Sequence, residues 1–304
     1  MAQDPQQSEL WQVEMPMILG TTEDTDNAFR TQNKSPTDWE RNNVVQRKGP
    51  VNVNCSLLDV VHGKLGDDPD INSDDDGALA TLLVFHFRFV PQKHSRRIIR
   101  AYIHVEFSGV DAQSTPPAVW AIAPYDTWTV VPTTDHEEKK HAMDGTIGSP
   151  AAGPLHLGLT TKFEKLRIRD VSDATTVSGS IEFSDDVNNG ECNCAAWSLL
   201  ENQTRKTGVP SSIRTGILLK RENNAIFHGI VKIACVADWK SQFESMFVRL
   251  PVDDPVLFNP ELKPARPQKK MKYNPESLLR TDVTSVADVT MQTIFKEAIK
   301  EATK

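Results

Sequence analysis

The residues best suited to chemistry lie in an acidic stretch in the first third of the sequence. This stretch, 66–77, contains four candidate ligands among further Asp and Asn residues: Asp68, Asp70, Asp74 and Asp76. Carboxylate oxygens are the ligands that calcium prefers. The EF-hand spacing fails, because an alignment with Gly77 at the sixth position puts Leu83 where a bidentate carboxylate is required. The stretch therefore predicts either a calcium site of another geometry or a solvated loop.

Two further clusters resemble metal sites less well. His136 and His141 flank Glu and Lys residues, but they are five positions apart and would point about 140° apart on a helix. We interpret them as part of a charged loop after Pro132. Cys192 and Cys194 have no second pair of cysteines at metal-ligand spacing, so we expect them to be small buried residues.

Local catalytic motifs are missing from the sequence. It contains no Gly-x-Ser-x-Gly motif and no Gly-rich phosphate loop. His104 and Glu106 share the polar face of one predicted strand, where we interpret them as solvated. A hydrolase whose carboxylates carry no local signature stays an alternative.

Composition restricts the class of protein. The 304 residues carry a net charge of −7, which argues against a nucleic-acid binder. No signal peptide and no apolar stretch long enough for a transmembrane helix occur, and four cysteines are too few for a disulfide scaffold. These features predict a cytoplasmic protein without a transmembrane segment.

Hydrophobic periodicity predicts a mainly β fold. Residues 79–90 are apolar on both faces, which is typical of a central strand, whereas 99–107 alternate apolar and polar side chains. Gly179 predicts a bulge within a later strand. Residues 213–220 and 226–235 flank Asn223 and Asn224 and predict a hairpin. Nine or ten strands without crossover helices favour an antiparallel two-sheet β-sandwich.

Four segments follow from these patterns. They are a polar N-terminal arm (1–50), the sandwich domain (51–250) closed by a short helix after its last strand, a Pro-rich strap or linker (251–281), and a C-terminal amphipathic helix (282–304). Within that helix a single stripe is predicted to bind a partner: Met291, Ile294, Phe295, Ala298 and Ile299.

The last third of the sequence resembles a group of proteins from filamentous ascomycete fungi. The resemblance rests on WSLLENQTRKTGVP at 197–210, DDPVLFNP at 253–260 and SVADVT at 285–290. It implies a fungal source, and no activity is attached to that group. The residues are also intelligible as structure, since 202–210 reads as a long polar turn and 253–255 as an anchor for the strap.

The function that these features favour is a non-enzymatic interaction or scaffold module without a cofactor. We expect it to bind a protein partner or to form a homo-oligomer through the N-terminal arm, the C-terminal helix or both. The alternative from a different class is a calcium- or lipid-responsive sandwich that uses the acidic stretch 67–76.

Overall fold

A computed structural model describes residues 30–49, 51–66, 77–92, 96–110, 114–143, 163–184, 190–237, 253–262 and 273–291, with the backbone alone for 131–143 and 163–172. The described part of the chain is mainly β, with little helix. Its described part contains twelve strands, one 3-10 helix and one short α-helix: β1 (Asn43–Arg47), β2 (Val51–Lys64), β3 (Leu79–Pro91), β4 (Ile98–Gly109), β5 (Ala118–Ala123), β6 (Asp126–Met143), β7 (Phe163–Glu182), β8 (Cys194–Leu200), β9 (Ser212–Arg221), β10 (Phe227–Ala237), β11 (Val256–Phe258), the 3-10 helix (Leu278–Arg280), α1 (Val283–Val286) and β12 (Asp288–Thr290).

The strands form two antiparallel sheets, which confirms the predicted fold class. Sheet I has the order β1–β2–β3–β9, and both β12 and β5 pair with the far side of β9. Sheet II has the order β11–β10–β4–β8–β7–β6. Connections between neighbouring strands need no crossover helix, as antiparallel pairing allows.

Apolar residues on the inner faces of both sheets make one core. In β4, Ala101, Ile103, Val105 and Phe107 are all buried, as the alternation predicts. Opposite them lie aromatic side chains of β3, and Phe87 contacts Trp197 with a ring-centroid distance of 6.4 Å. The indole N–H of Trp197 donates to the carbonyl of Pro124 at 2.9 Å, so its polar atom is satisfied inside the core.

A second apolar cluster explains why β3 is apolar on both faces. Ala80, Leu82 and Val84 belong to this cluster, whereas the alternate residues of β3 enter the first core. The cluster is closed by residues 273–286, which lie on the outer face of sheet I and contribute Tyr273, Leu278 and Val286. The C-terminal part of the chain therefore forms a third layer, fixed by a backbone hydrogen bond from Leu279 to Leu65 at 2.8 Å.

The predicted hairpin of 213–235 is wrong. β9 lies in sheet I between β3 and the pair β5 and β12, whereas β10 lies in sheet II between β4 and β11. The turn at Asn223 therefore crosses from one sheet to the other. Periodicity specifies which face of a strand is apolar, but it does not specify the neighbouring strand.

Two local expectations also change. Gly179 marks no bulge, because the register of β7 on β8 is regular from Thr176 to Glu182. Glycine is required there by a close approach, since a Cβ at this position would lie 2.1 Å from the Pro124 carbonyl oxygen. The second change concerns His136 to His141, which lie in strand β6 and not in a loop.

The predicted C-terminal helix, 282–304, is described only over 282–291. Asp282 caps α1, with its side chain accepting from the Thr284 N–H, and α1 ends after four residues. Residues 288–290 then form β12, because their backbone pairs with β9. The short helix expected after β10 falls at 238–250, outside the described residues, as does 292–304.

Candidate interaction surface

A long two-stranded ribbon projects from sheet II. β7 pairs with β8 only over Thr176–Glu182, but it pairs with β6 much further, to the final pair of Met143 with Phe163. We call the eleven register pairs between 133–143 and 163–173 the ribbon. At about 3.3 Å per residue these strands extend about 35 Å beyond the sandwich.

Pro132 marks the point at which the ribbon leaves the sheet. The register of β6 on β7 is interrupted between Val130 and Thr133, which is where a β-bulge or irregularity occurs. Proline cannot donate to a ladder, so it is tolerated at such a site and on an edge strand. Because bulges bend a strand and increase its twist, this one sets the direction in which the ribbon leaves.

The turn after β8 supports the base of the ribbon. The backbone N–H of Thr204 donates to the Asp173 carboxylate at 2.7 Å and lowers the pKa of Asp173. Next to it, Thr175 is fully buried, and its hydroxyl lies 2.9 Å from that of Thr207. This turn lies within the segment 197–210. The long polar turn predicted from sequence thus contacts β7 at the base of the ribbon and holds it in place, a role that no residue type or spacing indicates.

Both edges of the ribbon are open in the part of the chain that the structure describes. β6 is the last strand of sheet II, so its outer edge has no neighbouring strand along its length. The outer edge of β7 has a neighbour only where β8 pairs with it, from Thr176 onward. Such edges present backbone N–H and C=O groups that can pair with another strand.

The two segments predicted to mediate association are docked on their own domain where they are described. Arg47 pairs with Asp253 through both of its terminal nitrogens, and the N–H of Thr31 donates to the same carboxylate at 2.7 Å. The N–H of Asn33 donates to Asp254 at 2.9 Å. These contacts hold residues 30–47 against the residues just before β11. Asp253 and Asp254 thus bind the N-terminal segment, whereas the sequence predicts 253–255 as an anchor for the strap.

The predicted partner-binding stripe is described at one residue only. Met291 follows β12 and is half-buried, while the rest of the stripe lies outside the described residues: Ile294, Phe295, Ala298 and Ile299. The candidate calcium ligands lie outside them too: Asp68, Asp70, Asp74 and Asp76. Within the described ranges, no group of three or more His, Cys, Asp or Glu side chains is placed to hold a metal ion.

Charged side chains on the outer face of sheet II are mostly paired with one another. Glu106 accepts from Lys232 at 3.1 Å, and Glu182 accepts from the Tyr102 hydroxyl at 3.0 Å. His104 lies between these pairs and is buried, with its ring 6.4 Å from that of Tyr102. The expectation that His104 is solvated is therefore wrong, because long neighbouring side chains cover it.

Comparisons with known proteins leave the family open. No family model and no curated protein matches the sequence. Among solved structures, the Clostridium perfringens NetB toxin in its membrane-inserted form is similar with a TM-score of 0.24 and 8% identity, over 69% of this chain and 83% of that one. The Clostridium perfringens delta-toxin is similar with a TM-score of 0.26 and 11% identity, over 62% of this chain and 75% of the toxin chain. Helices long and apolar enough to cross a membrane do not occur among the described residues.

Proposed function

We propose that this protein is a non-enzymatic module that self-associates by strand pairing along the edges of the ribbon. The observation that carries the proposal is the extent of that ribbon, eleven register pairs with no third strand in the described part. An isolated two-stranded ribbon is marginally stable in water, and a further strand on either side would stabilise it. The proposal keeps the function expected from sequence and moves it to a different element.

The two edges of the ribbon predict how copies meet. One edge belongs to β6 and the other to β7, so an assembly that uses both edges of every copy joins unlike edges, and its contacts are heterologous. Copies with parallel ribbons would place β6 of one copy antiparallel to β7 of the next, the stronger of the two pairing modes. Contacts of this kind generate a closed ring or an open filament of copies.

The residue types of β6 predict that association is conditional. Glu137, Glu138, Lys139 and Lys140 follow one another in this edge strand. Charged residues on an edge oppose uncontrolled pairing. Because salt screens interactions between exposed charges, we expect the degree of association to depend on ionic strength.

Mass measurement on designed variants tests the proposal. In one variant, residues 133–173 are replaced by Asn-Gly, a two-residue turn that joins the paired bases of β6 and β7. In the control variant, residues 292–304 are removed. Size-exclusion chromatography with light scattering should give an oligomer for the full chain and the control, and a monomer for the ribbon variant.

Three results would contradict this proposal. One is a monomeric full chain at low and high salt and protein concentration. Another is an oligomer that survives loss of the ribbon. The third is a control variant that becomes monomeric, which would return the association surface to the C-terminal helix.

A second candidate function is binding to a lipid surface, and the sequence next to the ribbon favours it. Residues 145–161 contain no Asp, Glu, Lys or Arg, and the nearest charged residues include Lys140, Lys162 and Lys165 together with Asp144 and Glu164. Uncharged residues flanked by lysines suit an anionic membrane surface. Sedimentation with vesicles of anionic or of neutral lipid would test this. Binding should require anionic lipid and be lost when residues 133–173 are replaced.

A further inference from the structure

Arg221, the last residue of β9, is a buried cation at the end of the sandwich opposite the ribbon. Its residue surface is 5% exposed. One terminal nitrogen donates to the Asn223 carbonyl at 2.8 Å and to the Asn224 side-chain oxygen at 3.1 Å. The other donates to the Ala80 carbonyl at 3.2 Å. The guanidinium therefore holds the turn between the two sheets in place.

Among the described residues, the acceptors around this guanidinium are all neutral. Arg221 forms no salt bridge with any residue that the structure describes, and its Nε is buried without a hydrogen-bond partner there. Burial is the cause that lowers the pKa of Arg221 to about 10, with no contribution from a carboxylate. A buried charge without a counter-ion is costly, and an anion that enters the site would offset the cost.

A small pocket adjoins the guanidinium. It lies between the loop after β4 and the turn after β9, and its lining includes Arg221, Ser114, Thr115, Asn223 and Ala225. Its cavity volume is about 10 Å³, close to the space that a single water-sized group occupies. The hydroxyl groups of Ser114 and Thr115 add hydrogen-bond donors to those of arginine.

Apolar side chains surround the mouth of this pocket. Ile226 lines it and is 36% exposed, and Val110, which is 53% exposed, follows Gly109 on the adjacent strand. The register places Gly109 opposite Phe227, so Ile226 and Val110 both lie directly beyond this pair. A ligand with an anionic group and an apolar body would therefore contact both the guanidinium and these exposed apolar side chains. Glu222 also lines the pocket, but it is exposed and forms no ion pair with Arg221.

We propose that Arg221, with Ser114 and Thr115, forms a binding site for a small oxyanion, either a carboxylate or a phosphate group. Arginine suits this ligand because its planar N–H donors match the oxygens of both anions. The cavity admits only about one oxygen of the anion, so the rest of the charged group and the remainder of the ligand would lie over the mouth of the pocket. This site is separate from the ribbon and does not depend on the proposed self-association.

Nuclear magnetic resonance of the arginine Nε–H groups tests the site in the full chain. The protein is titrated with sodium phosphate and, separately, with sodium acetate, against sodium chloride at matched ionic strength. We expect one Nε–H resonance to shift saturably with at least one of the two oxyanions and not with chloride. That resonance should be absent from the Arg221→Lys variant. The anion that produces the shift identifies the ligand class.

Two further variants keep the test decisive where Arg221→Lys fails to fold. Ala225→Glu introduces a carboxylate at an exposed residue of the pocket, where it would act as an internal counter-ion, and the response should then be lost. Arg88→Gln removes an equal charge from an exposed site of β3 and should leave the response unchanged. No saturable shift with either anion, or a full response in Ala225→Glu, would overturn the proposal.

Discussion

Removing the Asp253 carboxylate should destabilise the protein strongly, because this group holds the N-terminal arm to the domain. The side chains of Arg47 and Asp253 are 11% and 9% exposed, and they are joined through both oxygens of the carboxylate. Removal of one partner of a buried ion pair costs about 3–5 kcal/mol, because the remaining charge stays buried. Asp253→Ala also removes the acceptor of the Thr31 N–H, so we expect a loss at the upper end of that range.

An exposed ion pair supplies the control. Lys64 and Glu276 lie 3.2 Å apart with side chains that are 52% and 75% exposed. Exposed pairs contribute about 0–1 kcal/mol, so Glu276→Ala should have little effect. Urea unfolding followed by tryptophan fluorescence measures both free energies of unfolding. The double variant Arg47→Met, Asp253→Leu should recover most of the loss, since it leaves no buried charge.

The comparison between the two pairs decides whether this reasoning is right. If Asp253→Ala lowers the free energy of unfolding no more than Glu276→Ala does, the buried ion pair of Arg47 and Asp253 contributes nothing and the arm is held by other contacts. If the double variant is as unstable as Asp253→Ala, packing rather than charge explains the effect.

Two further predictions concern the third layer and the cysteines. Gly216→Val should release residues 273–291 from sheet I, because a Cβ at this position would lie 2.5 Å from a methyl carbon of Val286. Limited proteolysis should then cut the chain near Tyr273. The control is Gly77→Val, at a glycine with a positive φ and open space around it, which should lower stability without that cut. Burial raises the pKa of the Cys235 thiol to about 12, and it raises the pKa of the Cys55 thiol well above its usual value. Since the thiolate is the reactive form, a thiol reagent at pH 8 should label the half-exposed Cys192 first in the native protein and all four cysteines in urea. Fast native labelling of Cys235 would contradict the described burial.

The sandwich could be predicted because its strands have a defined apolar face. β4 alternates and β3 is apolar on both sides, and each pattern corresponds to one or two buried faces in the structure. The ribbon could not be predicted in this way. Within its β6 strand, the segment 136–141 shows no alternation and reads as a charged loop.

The Arg221 pocket was missed for a related reason. Its lining comes from two loops, and Arg221 follows Lys220 at a strand end where a solvated charge is the ordinary interpretation. The incorrect hairpin prediction concealed it further, because Asn223 was expected to join neighbouring strands of one sheet. Only the crossing between sheets buries the guanidinium under that turn.

The two proposed surfaces lie at opposite ends of sheet II, and this arrangement has a consequence for binding. β4 and β7 run in the same direction, because both pair antiparallel with β8. The ribbon leaves the sheet near the start of β4, while Gly109 and Phe227 lie at the other end, beside the pocket. Copies joined along parallel ribbons would present their pockets on one side of the assembly. Weak binding of one anionic group per copy could then become tight binding to a surface that carries many such groups.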